Sequence, residues 1–499
     1  MVEYLESRDV TFEMHYMLPS VTTALSKEEI LALAEHDDVH TIYLVEGKEE
    51  PLLDTAVPTN RVAPVWQAGI DGSEGGGSDG NSPITIAIVE AHNVDWDNGF
   101  LHHATVRLVS PNGESDHTTR VASDAASFHG TYRGMAHGAT ILSAGEDGTM
   151  PNIHFALNWA LDQGAEVINY SAGVYDNIPD LGWLDRAFDH TARERGSIIV
   201  TAAGNRRDEY ISTPAKGWNV ITVGGINDQG NASWSDDVMY HLPGTNEGSS
   251  YLDPGSPYHD REKPEVVAPA QDITAIGLND VPRTRSGTSH AAPQVAGLGA
   301  LMMHRNPDVK GYPTAVKAIL MASATHNVEG DSRLSDEDGA GSINATLADS
   351  IVQNHQGDGV TCWGSCWWAV ETSSTYPDPD DFLDQFFYAS QGDWIRVAIA
   401  WWSEADPPPP YPTLGNDALT TNSDLYVWSP SGELPGYSAS WDNNFEIVEF
   451  VAPETGVYTI GTFKNPDTTT EDDNQLGIVL LRIPMPYRVY LPATMKNYP

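Results

Sequence analysis

Between residues 84 and 223, short apolar runs at 84–89, 139–143, 167–170, 197–202 and 220–223 alternate with helical stretches such as 153–163. Runs that are apolar on both faces must be buried on both faces. Strands joined through helices pair in parallel by right-handed crossovers. The pattern predicts an α/β domain over residues 84–350, a three-layer fold with a mainly parallel central sheet. With 499 residues the chain is too long to be that unit alone.

After residue 355 the texture changes to short strands of alternating polarity divided by turns, at 386–388, 394–401, 424–428, 445–450 and 456–463. This spacing predicts an all-β sandwich or jelly roll over 355–483, with a tail at 484–499. At the other end, residues 1–60 read as a small α+β unit: an extended run at 10–17, a helix from Ser26 and a strand at 39–45. The Ser26 and Glu29 spacing is a capping box, and Leu25 with Ile30 forms a staple across the helix start. Residues 61–83 read as a linker, because the Gly- and Ser-rich stretch 71–82 lacks the side chains to build a packed element.

Seventy acidic against 26 basic residues give a net charge of -44, which repels phosphate backbones and anionic head groups. Nucleic acid is therefore excluded as a partner. Two readings of the charge remain, a solvated surface or carboxylates gathered on structural Ca2+, for which Asp424, Asp442 and Asn444 are candidates. No apolar run is long enough to span a bilayer. Cys362 and Cys366 exclude a disulfide framework and suit one local disulfide, since two thiols without a nearby histidine supply half a zinc site. The first residues hold no cationic stretch leading into an apolar one, so no signal peptide is visible.

The stretch from Ser286 to Gly297, Ser-Gly-Thr-Ser-His-Ala-Ala-Pro-Gln-Val-Ala-Gly, takes a small-residue turn into a helix. A serine at that junction, Ser289, sits at the positive end of the helix with its own N–H facing developing negative charge. A lone serine there is ordinarily an N-cap; the whole string carries the functional reading. It closely resembles the nucleophile motif Gly-Thr-Ser-x-Ala-x-Pro-x-Val-Ala-Gly of the subtilase family of serine proteases. Further collinear matches lie at 134–139, 168–173, 201–205, 213–215, 220–224 and 263–269, so the resemblance covers about residues 84–350.

The resemblance implies a secreted or cell-surface bacterial serine endopeptidase acting on polypeptide substrates, monomeric, with no cofactor for catalysis. Ser289 would be the nucleophile and Asn205 the oxyanion donor, with Ser171, Ala172, Gly173, Ala202, Ala203 and Gly204 lining the substrate. A serine needs an imidazole base near neutral pH. His117, in Asp-His-Thr-Thr-Arg-Val-Ala, matches the family's His-Gly-Thr-His-Val-Ala, with Thr118 and Arg120 as departures. The rival readings are that His117 only caps the following helix, or that His129 is the base. His290 reads as structural.

The third member departs most. Strand 86–89 runs into Glu90-Ala91-His92 where the family has Asp-Thr-Gly, so Glu90 takes the acid position, with Asp95, Asp97 or a degenerate site as alternatives. By position, residues 1–60 resemble a subtilase propeptide that docks beside the active site, which makes 61–83 the linker and the start of the mature enzyme. The runner-up function is a catalytically impaired pseudoprotease serving as a binding or structural protein.

Overall fold

The computed structural model describes residues 12–15, 20–23 and 56–484, the last span interrupted at 79, 177, 325–327, 329–333, 336, 358, 373–382 and 465–473. Near the N-terminus, β1 (Phe12–His15) and β2 (Ser20–Thr23) pair antiparallel. The helix expected from Ser26 and the strand at 39–45 lie outside the described residues.

The predicted strands at 84–223 form the middle of one sheet. It contains β3 (Thr85–Glu90), β4 (Thr140–Gly145), β5 (Val167–Tyr170), β6 (Ile198–Ala202), β7 (Ile221–Asn227) and β8 (Val266–Pro269). Their order is β8-β7-β6-β5-β3-β4, every neighbour parallel. His102–His103 on β4 and the antiparallel Val238–Met239 on β7 bring it to eight strands.

Alternation along the strands divides the core in two. Ile86, Ile88, Ile141, Val167 and Val200 face one layer, while Ala87, Val89, Leu142, Ile168 and Ile199 face the other. The second layer is α2 (Met150–Asp162) and α3 (Trp183–Arg195). On the first lie α1 (Asp116–Ala126) and α4 (Thr288–Arg305), the latter buried along most of its length across β5, β6, β7 and β8. A hairpin not anticipated from the sequence, β9 (Ile273–Ile276) with β10 (Pro282–Arg285), feeds α4 and rests on α1.

The glycine-rich stretch is packed where a loose linker was expected. Gly72 donates to His304 Nδ1 at 3.0 Å, and a side chain at Gly75 would lie 2.7 Å from the Met303 carbonyl. Gly75 also has φ +92°, so glycine here serves close approach to the end of α4.

The C-terminal unit is the expected pair of antiparallel sheets. One consists of β11 (Cys366–Thr372), β13 (Trp394–Trp401), β16 (Phe445–Val451) and β18 (Asn474–Ile483), in the order β11-β18-β13-β16. The other consists of β12 (Leu383–Ala389), β14 (Ser423–Trp428), β15 (Gly436–Ser438) and β17 (Gly456–Lys464), in the order β12-β17-β14-β15. Cys362 and Cys366 form the local disulfide.

The sandwich is joined closely to the α/β domain. The helix α5 (Pro313–Ser323) lies on β13 and β18, close enough that a side chain at Gly477 would reach 2.4 Å from the Ala315 nitrogen. Around it, Asn219 and Ser403 bond at 2.8 Å, Trp218 Nε1 donates to the Asp442 carbonyl, and Lys317 donates to Asn444 Oδ1. Asp442 also accepts from the Tyr258 N–H. Asp442 and Asn444, which the sequence offered as calcium ligands, are thus engaged in the junction.

The junction also buries a carboxyl pair: Asp189 on α3 and Asp417 from the sandwich are hydrogen-bonded to each other. Burial first, then the neighbouring Asp189, raises Asp417 well above the ordinary carboxyl value; burial likewise raises Asp189. Folded values above unfolded ones mean that this stabilisation is complete below about pH 4 and is lost as pH rises through the folded values. Asp417→Asn supplies a permanent donor in place of the shared proton. Its expected effect is a melting temperature about 2–4 °C above the parent at pH 8, with no gain at pH 4, checked by thermal scans across that range.

Candidate active site

In open parallel sheets, ligands bind beyond the carboxyl ends of the strands where the strand order reverses. From β3 the chain moves to one side for β4 and returns to the other for β5, so the reversal falls between β3 and β5. Glu90 ends β3 and Ser171 follows β5, and the Ser171 N–H donates to the Glu90 carboxyl. The adjacent Ala172 and Gly173 form an edge: among the described residues none hydrogen-bonds their peptide groups. A side chain at Gly173 would strike Ser212 Oγ, which keeps this edge narrow.

His117 lies in the first turn of α1. The cap of that helix is Ser115, whose Oγ accepts from the Thr118 N–H at 3.0 Å, so His117 is not the cap. Its Nδ1 stands 4.0 Å from Glu90 Oε2. The other acid candidates are occupied: Asp95 Oδ2 accepts from the Asn279 N–H at 2.9 Å and Oδ1 from Asp97 N, and Asp97 is exposed. His129 accepts from the N–H groups of Thr131 and Tyr132 and stacks on Tyr132, serving as a loop anchor.

Burial first, and then the charge of Glu146, push Glu90 up to about 8 against the Ser171 bond. Desolvation, then His290 and Arg120, push His117 below the usual imidazole value, tempered by the 42% of its side chain that remains open to solvent. At neutral pH the 4.0 Å separation therefore joins a protonated carboxyl to a neutral imidazole, and is not an ion pair. Among the described residues Glu90 Oε1 has no hydrogen-bond partner, an orphan that a shift of the ring toward the carboxyl would relieve.

Ser289 is the second residue of α4, partly exposed behind the cap residue Gly287, whose φ is +145°. Asn205, following β6, points its carboxamide at this helix start. Oδ1 accepts from the Thr288 N–H at 2.7 Å and from Thr288 Oγ1 at 3.1 Å. A backbone N–H can only donate, so the oxygen is fixed there and Nδ2 is left for a ligand. A side chain at Gly287 would lie 3.2 Å from Nδ2. The approach is set by Ala202, Ala203 and Gly204, all buried, and by Tyr175, whose hydroxyl accepts from the Asn205 N–H at 2.5 Å. Among the described contacts there is no Ser289 to His117 hydrogen bond, a contact that free enzymes often tighten only with substrate.

The subtilase family model matches residues 89–359, more than half of the chain. This protein belongs to the subtilase family. It is similar to the serine protease AprX of Bacillus subtilis, 28% identical over 358 residues that cover 63% of this chain and 75% of AprX. It is 32% identical over 173 residues to subtilisin Savinase of Lederbergia lenta, covering 34% of this chain and 52% of that protein. The solved prenylagaramide maturation protease PagA superposes with a TM-score of 0.45 at 25% identity, covering 58% of this chain and 96% of PagA. As a subtilase the protein is a serine-type endopeptidase.

The sequence singled out Ser289, Asn205, His117 and Glu90, all of which the fold brings to one end of the sheet. It missed Thr288 as the residue that orients Asn205, although Thr288 lies inside the recognised string. It also missed Tyr175 and Glu146, which carry no local signal. Their roles depend on loops meeting from different strands.

Proposed function

We propose that the subtilase cleaves extended polypeptide through an acyl-enzyme on Ser289. His117 takes the serine proton and later returns it to the leaving amine, and ionised Glu90 holds the imidazole with its proton on Nδ1. Asn205 Nδ2 and the Ser289 N–H bind the oxyanion, and the edge at Ser171, Ala172 and Gly173, with Ala202, Ala203 and Gly204 opposite, takes the substrate strand. The observation that carries this reading is the anchoring of Asn205 Oδ1 by the Thr288 N–H, which turns Nδ2 toward Gly287 in the turn that leads to Ser289. Catalysis in this reading needs no cofactor, any bound Ca2+ would be structural, and the enzyme works as an exported monomer whose residues 1–60 act as its own docking propeptide.

Fluorophosphonate labelling tests the reading directly. Label is expected on Ser289 in the parent and none in Ser289→Ala, while Asn205→Ala lowers kcat by about 10²–10³-fold. That magnitude belongs to subtilisin, a member of the same family, and is carried over from it.

A second reading has its own observation. Glu90 sits 4.0 Å from His117 and holds its proton at neutral pH, as a degenerate, binding-only site would. The pH profile separates the two. A protonated Glu90 donating to Nδ1 would leave the proton of His117 on Nε2, where it cannot accept from Ser289. For an enzyme, kcat/KM is therefore expected to rise as pH climbs through about 8. The pair titrates as a unit, so this is its apparent value. Glu90→Gln should lose that limb and about 10⁴-fold in rate, by analogy with the serine protease triad. Folded protein that neither labels nor cleaves casein from pH 6 to pH 10 would establish the pseudoprotease.

A further inference from the structure

Behind the site lies a chain of charged and polar groups, buried except at its outer end, that the mechanism above does not use. Asp116, Arg120 and Asp124 are spaced four apart on one face of α1. Arg120 Nε donates to Asp116 Oδ2 at 3.0 Å, Arg120 Nη1 lies 2.9 Å from His290 Nε2, and His290 Nδ1 lies 2.6 Å from Asp124 Oδ2. A guanidinium has only donors, so Nε2 must accept and Nδ1 must carry the proton given to Asp124. The tautomer of His290 is thereby fixed by its neighbours. Arg120 and His290 are 4% and 1% exposed and Asp124 is fully buried.

Two links of this chain adjoin the reacting residues in sequence. Asp116 precedes His117 on α1 and His290 follows Ser289 on α4, and the His117 and His290 rings are 6.2 Å apart. From outside, Arg283 on β10 meets Asp116 Oδ1 at 3.0 Å. The two helices approach closely further along: a side chain at Gly297 would lie 2.9 Å from the Ala125 carbonyl. An apolar trio of similar volume would serve stability as well or better than buried charge, so stability alone gives no reason for this arrangement. What fixed, directional bonds add is geometry. Arg120 also stands where the family motif carries histidine, so the chain belongs to this protein's own version of the site.

We propose that Arg120 and His290 are positioning residues: the clasp from Asp116 through Arg120 and His290 to Asp124 sets the distance and angle between His117 on α1 and Ser289 on α4. This rests on the assignment of Ser289 and His117 above. A displacement of about 1 Å between reacting groups is enough to cost about 10²-fold in rate. Loosening the clasp should therefore lower turnover while leaving the substrate edge at Ser171, Ala172 and Gly173 intact.

The test measures kcat per active site, counted by fluorophosphonate titration, in full-length Arg120→Met, His290→Leu and His290→Gln. Glutamine can accept from Arg120 through its oxygen and donate to Asp124 through its nitrogen, so it rebuilds the clasp. Arg120→Met and His290→Leu should each lose about 10–100-fold in kcat per titrated site with KM within about threefold of the parent. His290→Gln should stay within about threefold of the parent in both. Parental kcat per site in Arg120→Met and His290→Leu, with only a lower melting temperature, would reduce the clasp to a structural brace and overturn the proposal. Equal loss in His290→Gln and His290→Leu would overturn it too, because the bridge would not be what matters. Should Arg120→Met fail to fold, the two His290 variants carry the same decision. Failure of the parent itself to label at Ser289 would instead bring down the assignment on which the proposal rests.

Discussion

The hydrogen bond from the Thr288 N–H to Asn205 Oδ1 ties the start of α4 to the end of β6. Much else follows from that one tie. It orients the carboxamide so that Nδ2 faces the turn just ahead of the serine, where Gly287, with φ +145°, leaves room that a side chain would take from the same carboxamide. The helix it anchors is buried along most of its length and crosses four parallel strands. Ser289 is therefore carried on an element with little freedom to drift. A hydroxyl placed this way needs only a base and an anion site, the first offered by His117 in the first turn of α1 and the second by Asn205 beyond the end of β6.

The cost of the site lies in Glu90. A carboxyl buried beside Glu146 and short of a partner prefers its proton, which opposes its use as the stabiliser of an imidazolium. The Ser171 N–H offsets part of this, and it comes from the strand edge where substrate is proposed to pair. Arrival of a substrate strand excludes water from the exposed face of His117 and strengthens each charge interaction beneath it. The resting pair is neutral, and because exclusion of water penalises each charge taken singly, the two can ionise only together.

Local pattern carried the architecture. Strands such as Val167–Tyr170, apolar on both faces, can lie only inside a two-sided sheet, and the alternating runs Leu383–Ala389 and Ser423–Trp428 have one buried face each. The hairpin at Ile273–Ile276 and Pro282–Arg285 escaped notice because its second strand is exposed and polar and shows no periodicity. The stretch 71–82 was misjudged for the opposite reason: glycine reads as looseness along the chain, while here it permits contact with the backbone of α4. For the site, Ser289 and Asn205 stand in strings whose neighbours are as constrained as they are. Glu90 was nominated by its place at the end of a strand where the family motif has aspartate; its raised pKa was invisible, because burial and Glu146 act on it only through the fold.

The same logic of buried charge recurs at the junction with the sandwich. Glu265 Oε1 lies 2.6 Å from both Lys263 Nζ and Lys317 Nζ, and Asp189 and Asp417 share a proton nearby, so a sheet strand, two helices and the sandwich meet through ions with little access to water. Such groups add little net stability over an apolar junction, but each must find its own partner, so they fix how the surfaces register. Lys317 links the two layers directly, bonding Asn444 of the sandwich and the Trp218 carbonyl of the α/β domain. The next segment, Ile221–Asn227, is β7, which pairs with β6 and so with the strand that leads to Asn205. Registration of the sandwich therefore reaches Asn205, the proposed oxyanion donor, through two strands of one sheet, which makes the C-terminal unit part of the scaffold around it.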